Sequence, residues 1–126
     1  MAQSEFKAEL LDCDNVLDIS GHHKPNVLKI KCSKDTYALW KHRSKNFNQW
    51  YWSAQKCRLL SIDPPTLIHA FLGSSIENRY VIPHEDVASP MIETGFVRRS
   101  GNDYWHLSVE GQRSKLDQYS SMCEYL

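Results

Sequence analysis

Two stretches concentrate side chains that could hold phosphate. In 26–34, NVLKIKCSK, Leu28, Ile30 and Cys32 fall on one face of a strand and Lys29 and Lys31 on the other, with Lys34 at its end. Three ammonium groups placed this way are solubilising charges, a surface for phosphate, or half of a catalytic site. Farther on, WKHRSKNFNQWYWSAQKCR interleaves Lys41, His42, Arg43, Lys45, Lys56 and Arg58 with Trp40, Phe47, Trp50, Tyr51 and Trp52. Aromatic faces stack on unpaired bases while cations hold phosphates. Trp50, Tyr51 and Trp52 cannot share one side of a helix. The expected buried stripe is therefore Phe47, Trp50 or Tyr51, and Ala54.

The formal net charge is zero, but the charges are segregated. Residues 1–23 hold one base against five acids, a net of −4; residues 24–58 hold nine bases against one acid, a net of +8; residues 59–126 hold five bases against nine acids, again −4. This pattern points to a polyanionic partner for the middle of the chain. The partners expected are nucleic acid, DNA ahead of RNA, and a second copy of the chain in a homodimer. A rival reading is a small non-enzymatic module that binds an acidic protein.

The elements that must position these groups follow from periodicity and breakers. Ser4 caps a first helix with Phe6, Leu10 and Cys13 at helical spacing, the alternative being a strand over 6–11. Strands over 16–20 and 27–32 form a hairpin around the turn GHHKPN. A helix is expected over 46–60, stopped at Asp63-Pro-Pro. TLIHAFLG and NRYVIP read as two strands, and PHEDVASPMI as a short helical turn or loop. GFVRRSGNDYWHLS is a hairpin turning at 100–103. A closing helix is expected over 109–125, capped by Ser108. With 126 residues this is one domain, of class α+β or α/β: a mixed central sheet of about five strands with flanking helices.

No apolar run approaches the roughly 18 residues needed to span a membrane. MAQSEFKAELLDCD puts acids where a signal peptide has an apolar core, so the expected compartment is the cytoplasm. Cys13, Cys32, Cys57 and Cys123 form no C-x-x-C pair, which speaks against a zinc ribbon and for small buried hydrophobes. His22 and His23 are a metal handle or a polar turn. There is no Gly-rich phosphate loop, Gly-x-Ser-x-Gly elbow or His-Glu-x-x-His.

The order of hairpin acid, strand lysine, helix, two strands and Pro83 resembles the core of the PD-(D/E)XK nuclease superfamily. There an Asp at a strand end is followed by Glu-x-Lys or Gln-x-Lys on the paired strand. The acidic or polar groups hold Mg²⁺, and the lysine helps activate water. The resemblance makes Asp18 the matching Asp, a catalytic residue and metal ligand, and Lys31, in KIKCS, the matching catalytic lysine. NRYVIPHEDV resembles the strand after the crossover helix, and LDQYSSMCEYL the closing helix. Lys29 stands where the family has Glu or Gln, and its charge repels Mg²⁺. The resemblance therefore implies a degraded site, or a carboxylate reaching in, with Asp14 taken as the second metal ligand and Glu5 and Glu9 as other candidates. The function expected is nucleic-acid binding on a nuclease-like scaffold, with Mg²⁺-dependent cleavage if the site is intact.

TGFVRRSGNDYWHLSVEGQR resembles the wing of winged-helix DNA-binding proteins. In that alternative Arg98 and Arg99 touch backbone phosphates, contacts that position without specifying sequence. The nucleic-acid-binding set expected from sequence is Lys29, Lys34, Lys41, Arg43, Lys45, Arg98 and Arg99.

Overall fold

The structure is a computed structural model that describes residues 3–21, 26–60, 66–75, 78–88, 92, 94–95, 97–101, 103–111, 113–124 and 126. His22, His23 and the Asp63-Pro-Pro stop lie outside the described residues, as does the side chain of the expected cap Ser4.

The chain is α+β. A five-stranded mixed sheet has the order β1(Val16–Gly21), β2(Val27–Cys32), β3(Thr36–Arg43), β5(Thr66–Leu72), β6(Arg79–Pro83), and a three-stranded sheet has the order β4(Gln49–Ser53), β8(Tyr104–Ser108), β7(Val97–Ser100). Helix α1(Gln3–Leu11) precedes the sheet, α2(Ala54–Leu60) follows β4, and single turns α3(His84–Asp86) and α4(Arg113–Leu116) follow later. All strand pairs are antiparallel except β3 with β5. A parallel neighbour needs a crossover, and β4 and α2 lie within that connection.

Two cores follow from strand alternation. On one face of the large sheet, Leu28, Ile30, Leu39, Ile68 and Val81 pack under Phe6 and Leu10 of α1 and against Met122. Phe6 and Leu10 are four residues apart, so both point from one side of the helix into the sheet. Burying each side chain contributes about 1.5–3 kcal/mol. On the other face, Trp40, Phe71, Tyr80 and Ile82 meet Trp50, Trp52, Leu107 and Val97 of the small sheet and Cys57 and Leu60 of α2. Strand β3 is the middle of the large sheet, with Ala38, Leu39, Trp40, Lys41 and His42 all buried. A strand covered on both faces loses its alternating pattern.

Several expectations are corrected here. The segment 46–60 is not one helix: β4 takes its first half and α2 only Ala54–Leu60. Trp50 and Trp52 are buried and Tyr51 is exposed, so the period is 2 rather than 3.6. The long closing helix over 109–125 is a short α4 followed by a 3-10 turn at Asp117–Tyr119. Cys13 and Cys123 are joined in a disulfide rather than being separate buried thiols, while Cys32 and Cys57 are buried thiols. Among the described residues no helix is long and apolar enough to cross a membrane.

The β7–β8 hairpin is present, with Gly101 at φ 61° and Asp103 at φ 63° in its turn. The segment that would have to supply an upstream helix-turn-helix pairs β5 with β6 instead.

Candidate functional site

The most unusual arrangement in the core is a chain of three imidazoles. His42 is the next-to-last residue of β3, His69 is the centre of β5, and His84 opens α3 just after Pro83 ends β6. His42 and His69 share the sheet face that meets the small sheet, because Trp40 is registered against His69 and His42 against Phe71. His42 Nε2 lies 2.9 Å from His69 Nδ1, and His69 Nε2 lies 2.9 Å from His84 Nδ1. The His42 and His69 rings are stacked at 5.1 Å, between Phe71 at 4.9 Å from His42 and the tilted indoles of Trp40 and Trp52. A neutral imidazole has one N–H and one acceptor nitrogen. The two hydrogen bonds therefore run in one direction: each ring donates to the next, outward to His84 or inward to His42.

All three rings are shifted towards their neutral forms. Burial, helped by the Lys56 ammonium, pushes His42 down to about 3. Burial, then the neighbouring His42 and His84, takes His69 well below its ordinary value. Burial also lowers His84, which is only half covered. Lys56 itself sits 5.0 Å over the Trp40 ring.

Beside this chain is Cys57, on the buried side of α2. Cys57, His69 and His84 bring three ligand atoms within 4.8 Å of one another, a group able to hold a metal ion. Burial pushes the Cys57 thiol up to about 12, against the smaller pulls of Trp52 and Arg58. The Trp52 indole N–H is buried without a hydrogen bond of good geometry. Sulfur is a weak acceptor in its thiol form, so this donor is poorly satisfied. A cavity of about 200 Å³ opens beside the group, lined by Ala54, Cys57, Arg58, His84, Val87 and Trp105 among others.

A second surface faces away from the core. On the outer side of the small sheet, Tyr51 stands opposite His106, and His106 opposite Arg98. Tyr51 and His106 are stacked at 4.4 Å with 7° between their planes. Gln49 Oε1 accepts from the Tyr51 hydroxyl at 3.1 Å and sits 3.2 Å from His106 Nε2, which locks both rings. Tyr51 is 55 % exposed, and Tyr104, on the same face, 52 %. Arg98 Nε donates to the Gly95 carbonyl at 3.3 Å. A cavity of about 470 Å³ adjoins the pair, lined by Gln49, Thr94, Gly95, Arg98, His106, Ser108 and Glu110. His106 is lowered by burial and then by Arg98.

The residues singled out from sequence are dispersed by the fold. Asp18 is registered directly against Lys31, and both are exposed on one face, together with Lys29. Asp14 is exposed in the turn before β1. The side chain of Glu5 lies outside the described residues. Glu9 is engaged in an ion pair with Arg79. Lys34 is exposed just after β2, and Arg43 and Lys45 are exposed at and beyond the end of β3. Lys41 is 5 % exposed and sits on the α1 side of the sheet, where burial lowers it further than its neighbours Arg43 and Lys7 do. The basic segment 24–58 is therefore split between two faces of the sheet. Alternation along β3 sends Lys41 and Arg43 one way, while Lys29, Lys31 and the Lys56 that covers Trp40 go the other. Arg98 is on the outer face of the small sheet. Arg99 alternates to the other face, where it is still exposed, its guanidinium 5.7 Å over Trp105.

Sequence reasoning placed His42 among surface bases and did not single out Cys57, His69 or His84. No local spacing links them, since each comes from a different element. The one cue is composition: an imidazole in TLIHAFL, a strand otherwise apolar after its first residue, is a polar group that must find a buried partner. No protein-family model matches the chain, and no curated protein matches its sequence.

Proposed function

We propose that the chain binds nucleic acid, and that unpaired bases stack on the outer face of the small sheet. The observation that carries this reading is the exposed Tyr51–His106 stack, fixed by Gln49 and flanked by Tyr104 and Arg98. A ring already held in place loses little entropy when a base stacks on it. Arg98 supplies the phosphate contact. The adjoining cavity offers amide, hydroxyl, guanidinium and carboxylate groups to a base edge. Lys29, Lys31, Lys34, Arg43 and Lys45 attract the polyanion without touching the stacked bases.

The test is anisotropy of labelled single-stranded and duplex DNA and RNA across a salt series. Single strands bind better, and affinity falls with salt. Tyr51→Ala weakens single-strand binding by roughly five- to 150-fold, the equivalent of about 1–3 kcal/mol for one stacked base. Arg98→Ala lowers the salt slope by about 0.7–0.9. Binding that Tyr51→Ala leaves intact removes this surface from consideration. Failure to bind any nucleic acid at low salt, with capture of an acidic protein instead, favours the interaction-module reading. The proposed compartment is the cytoplasm.

A second reading, Mg²⁺-dependent cleavage, is supported by Asp18 standing directly opposite Lys31. In it Asp18, with Asp14, carries Mg²⁺ and Lys31 activates water. Cleavage abolished by Asp18→Ala is its signature, and intact substrate in both Mg²⁺ and Mn²⁺ ends it.

A further inference from the structure

We infer that Cys57, His69 and His84 form a binding site for a borderline-soft divalent cation, zinc first, with His42 as the residue that orients His69. The argument is one of donor chemistry and distance. A thiolate and two imidazoles suit zinc and its neighbours, and they do not suit Mg²⁺, which takes oxygen ligands. His69 Nε2 and His84 Nδ1 lie 2.9 Å apart. Two nitrogens bound tetrahedrally at about 2.0–2.1 Å from zinc stand about 3.3–3.4 Å apart. The two rings need to separate by only about half an ångström from that contact. Cys57 Sγ falls within the same 4.8 Å group.

The surroundings match a metal site beyond the three donors. A ligating histidine uses one nitrogen for the metal and donates the other N–H to a fixed acceptor, which sets its tautomer. His69 Nδ1 already has His42 Nε2 at 2.9 Å for that role. The buried Trp52 N–H, poorly satisfied by a thiol, gains an anionic acceptor nearby when the sulfur becomes a thiolate. Three protein ligands leave one tetrahedral position, the hallmark of sites that admit water or a substrate atom. The cavity that Cys57 and His84 line, with Arg58 and Trp105 on its walls, gives such a ligand room.

Loading balances without a redox step. The Cys57 thiol gives its proton to solvent, and the sulfur lone pair binds the cation. The three imidazoles keep three protons in all, on His42 Nδ1, His69 Nδ1 and His84 Nε2, which frees His69 Nε2 and His84 Nδ1 for the metal.

The test uses the full chain with its disulfide intact, stripped with a chelator and titrated first with Co²⁺ and then with Zn²⁺. One equivalent of Co²⁺ should give visible d–d bands of tetrahedral intensity and a near-ultraviolet thiolate charge-transfer band, both bleached by Zn²⁺. Cys57→Ser should remove the charge-transfer band, and His84→Ala should abolish stoichiometric binding. His42→Gln should weaken binding by roughly 10- to 100-fold, the range for an orienting partner. The pair His22→Ala and His23→Ala should leave the spectrum unchanged. A wild-type protein with no thiolate band overturns the inference whether or not any variant folds. So does a band that survives Cys57→Ser, or one that disappears with His22 and His23.

Discussion

Removing the Cys13–Cys123 disulfide should cost the protein a large part of its stability, because of where the bridge lies in the chain. It joins residues 110 apart, at the end of α1 and near the C-terminus. Closing a loop of that length removes entropy from the unfolded chain of about 2.1 + 1.5R ln n cal/mol/K, which for n of about 110 is near 16 cal/mol/K, or about 4.8 kcal/mol at 25 °C. Measured losses for native bridges run from about 2 to 5 kcal/mol. The bridge also fixes the segment that carries Met122 into the α1-side core and Leu116 and Tyr119 into the other. The variant Cys13→Ala with Cys123→Ala should therefore unfold in urea with a stability lower by about 2–5 kcal/mol. Its urea slope should rise, because an uncrosslinked unfolded chain exposes more surface. Chelator in both samples keeps metal binding out of the comparison. A difference below about 1 kcal/mol with an unchanged slope would refute the loop-closure argument.

The other expectations come from single groups in the core. Acidification should destabilise the chelated protein before carboxylates titrate. His42 has a folded value of about 3 against an ordinary 6.5, so the unfolded chain takes up its proton first and stability falls as pH drops from 6.5 towards 3. By pH 5 His42 alone accounts for about 2 kcal/mol relative to pH 8, and His69 adds a loss of the same sign. Equal denaturation midpoints at pH 8 and pH 5 would contradict this. Gly73→Ala should lower stability by about 1–3 kcal/mol, because a Cβ there would lie 3.0 Å from the Cβ atoms of both Phe47 and Asn78; a stabilised variant in thermal melts would show that the β3–β4 and β5–β6 connections that carry these residues yield. Thiol trapping in intact cells should read whether the bridge forms in place. A fully reduced pool fits the cytoplasm, and an oxidised pool argues for another compartment, since such bridges are rare in the cytosol.

What the sequence conveyed depended on how each element is covered. The β1–β2 hairpin was legible because one face is wet: Lys29 and Lys31 alternate with Leu28, Ile30 and Cys32. The β7–β8 hairpin was legible from its turn. Strand β3 was not, because burial on both faces replaced alternation with a mixed run in which Lys41 and His42 look like surface residues. Strand β4 was misread as helix because three consecutive aromatics suggest a stripe, whereas a strand places Trp50 and Trp52 inside and Tyr51 outside. The disulfide and the imidazole chain join residues far apart in sequence, and no local period records such a pairing.

The two candidate surfaces are opposite products of the same strand alternation. In β4, one residue out of register puts Tyr51 outside with His106 and Trp52 inside against His42. The inner face then encloses His42 and His69 in aromatic walls, which disfavours their charged forms. The outer face holds an aromatic pair in water with a guanidinium beside it. A change that shifts β4 by one residue would exchange the two environments and abolish both. The proposals are nevertheless separable by point substitution: Tyr51 stacks on His106 and bonds Gln49 on the face opposite the imidazole chain, so Tyr51→Ala should leave cobalt binding intact, and Cys57→Ser should leave the Tyr51–His106 stack and single-strand binding intact. Loss of both activities in either variant would mean that the small sheet had unfolded, and circular dichroism of that variant would show it directly.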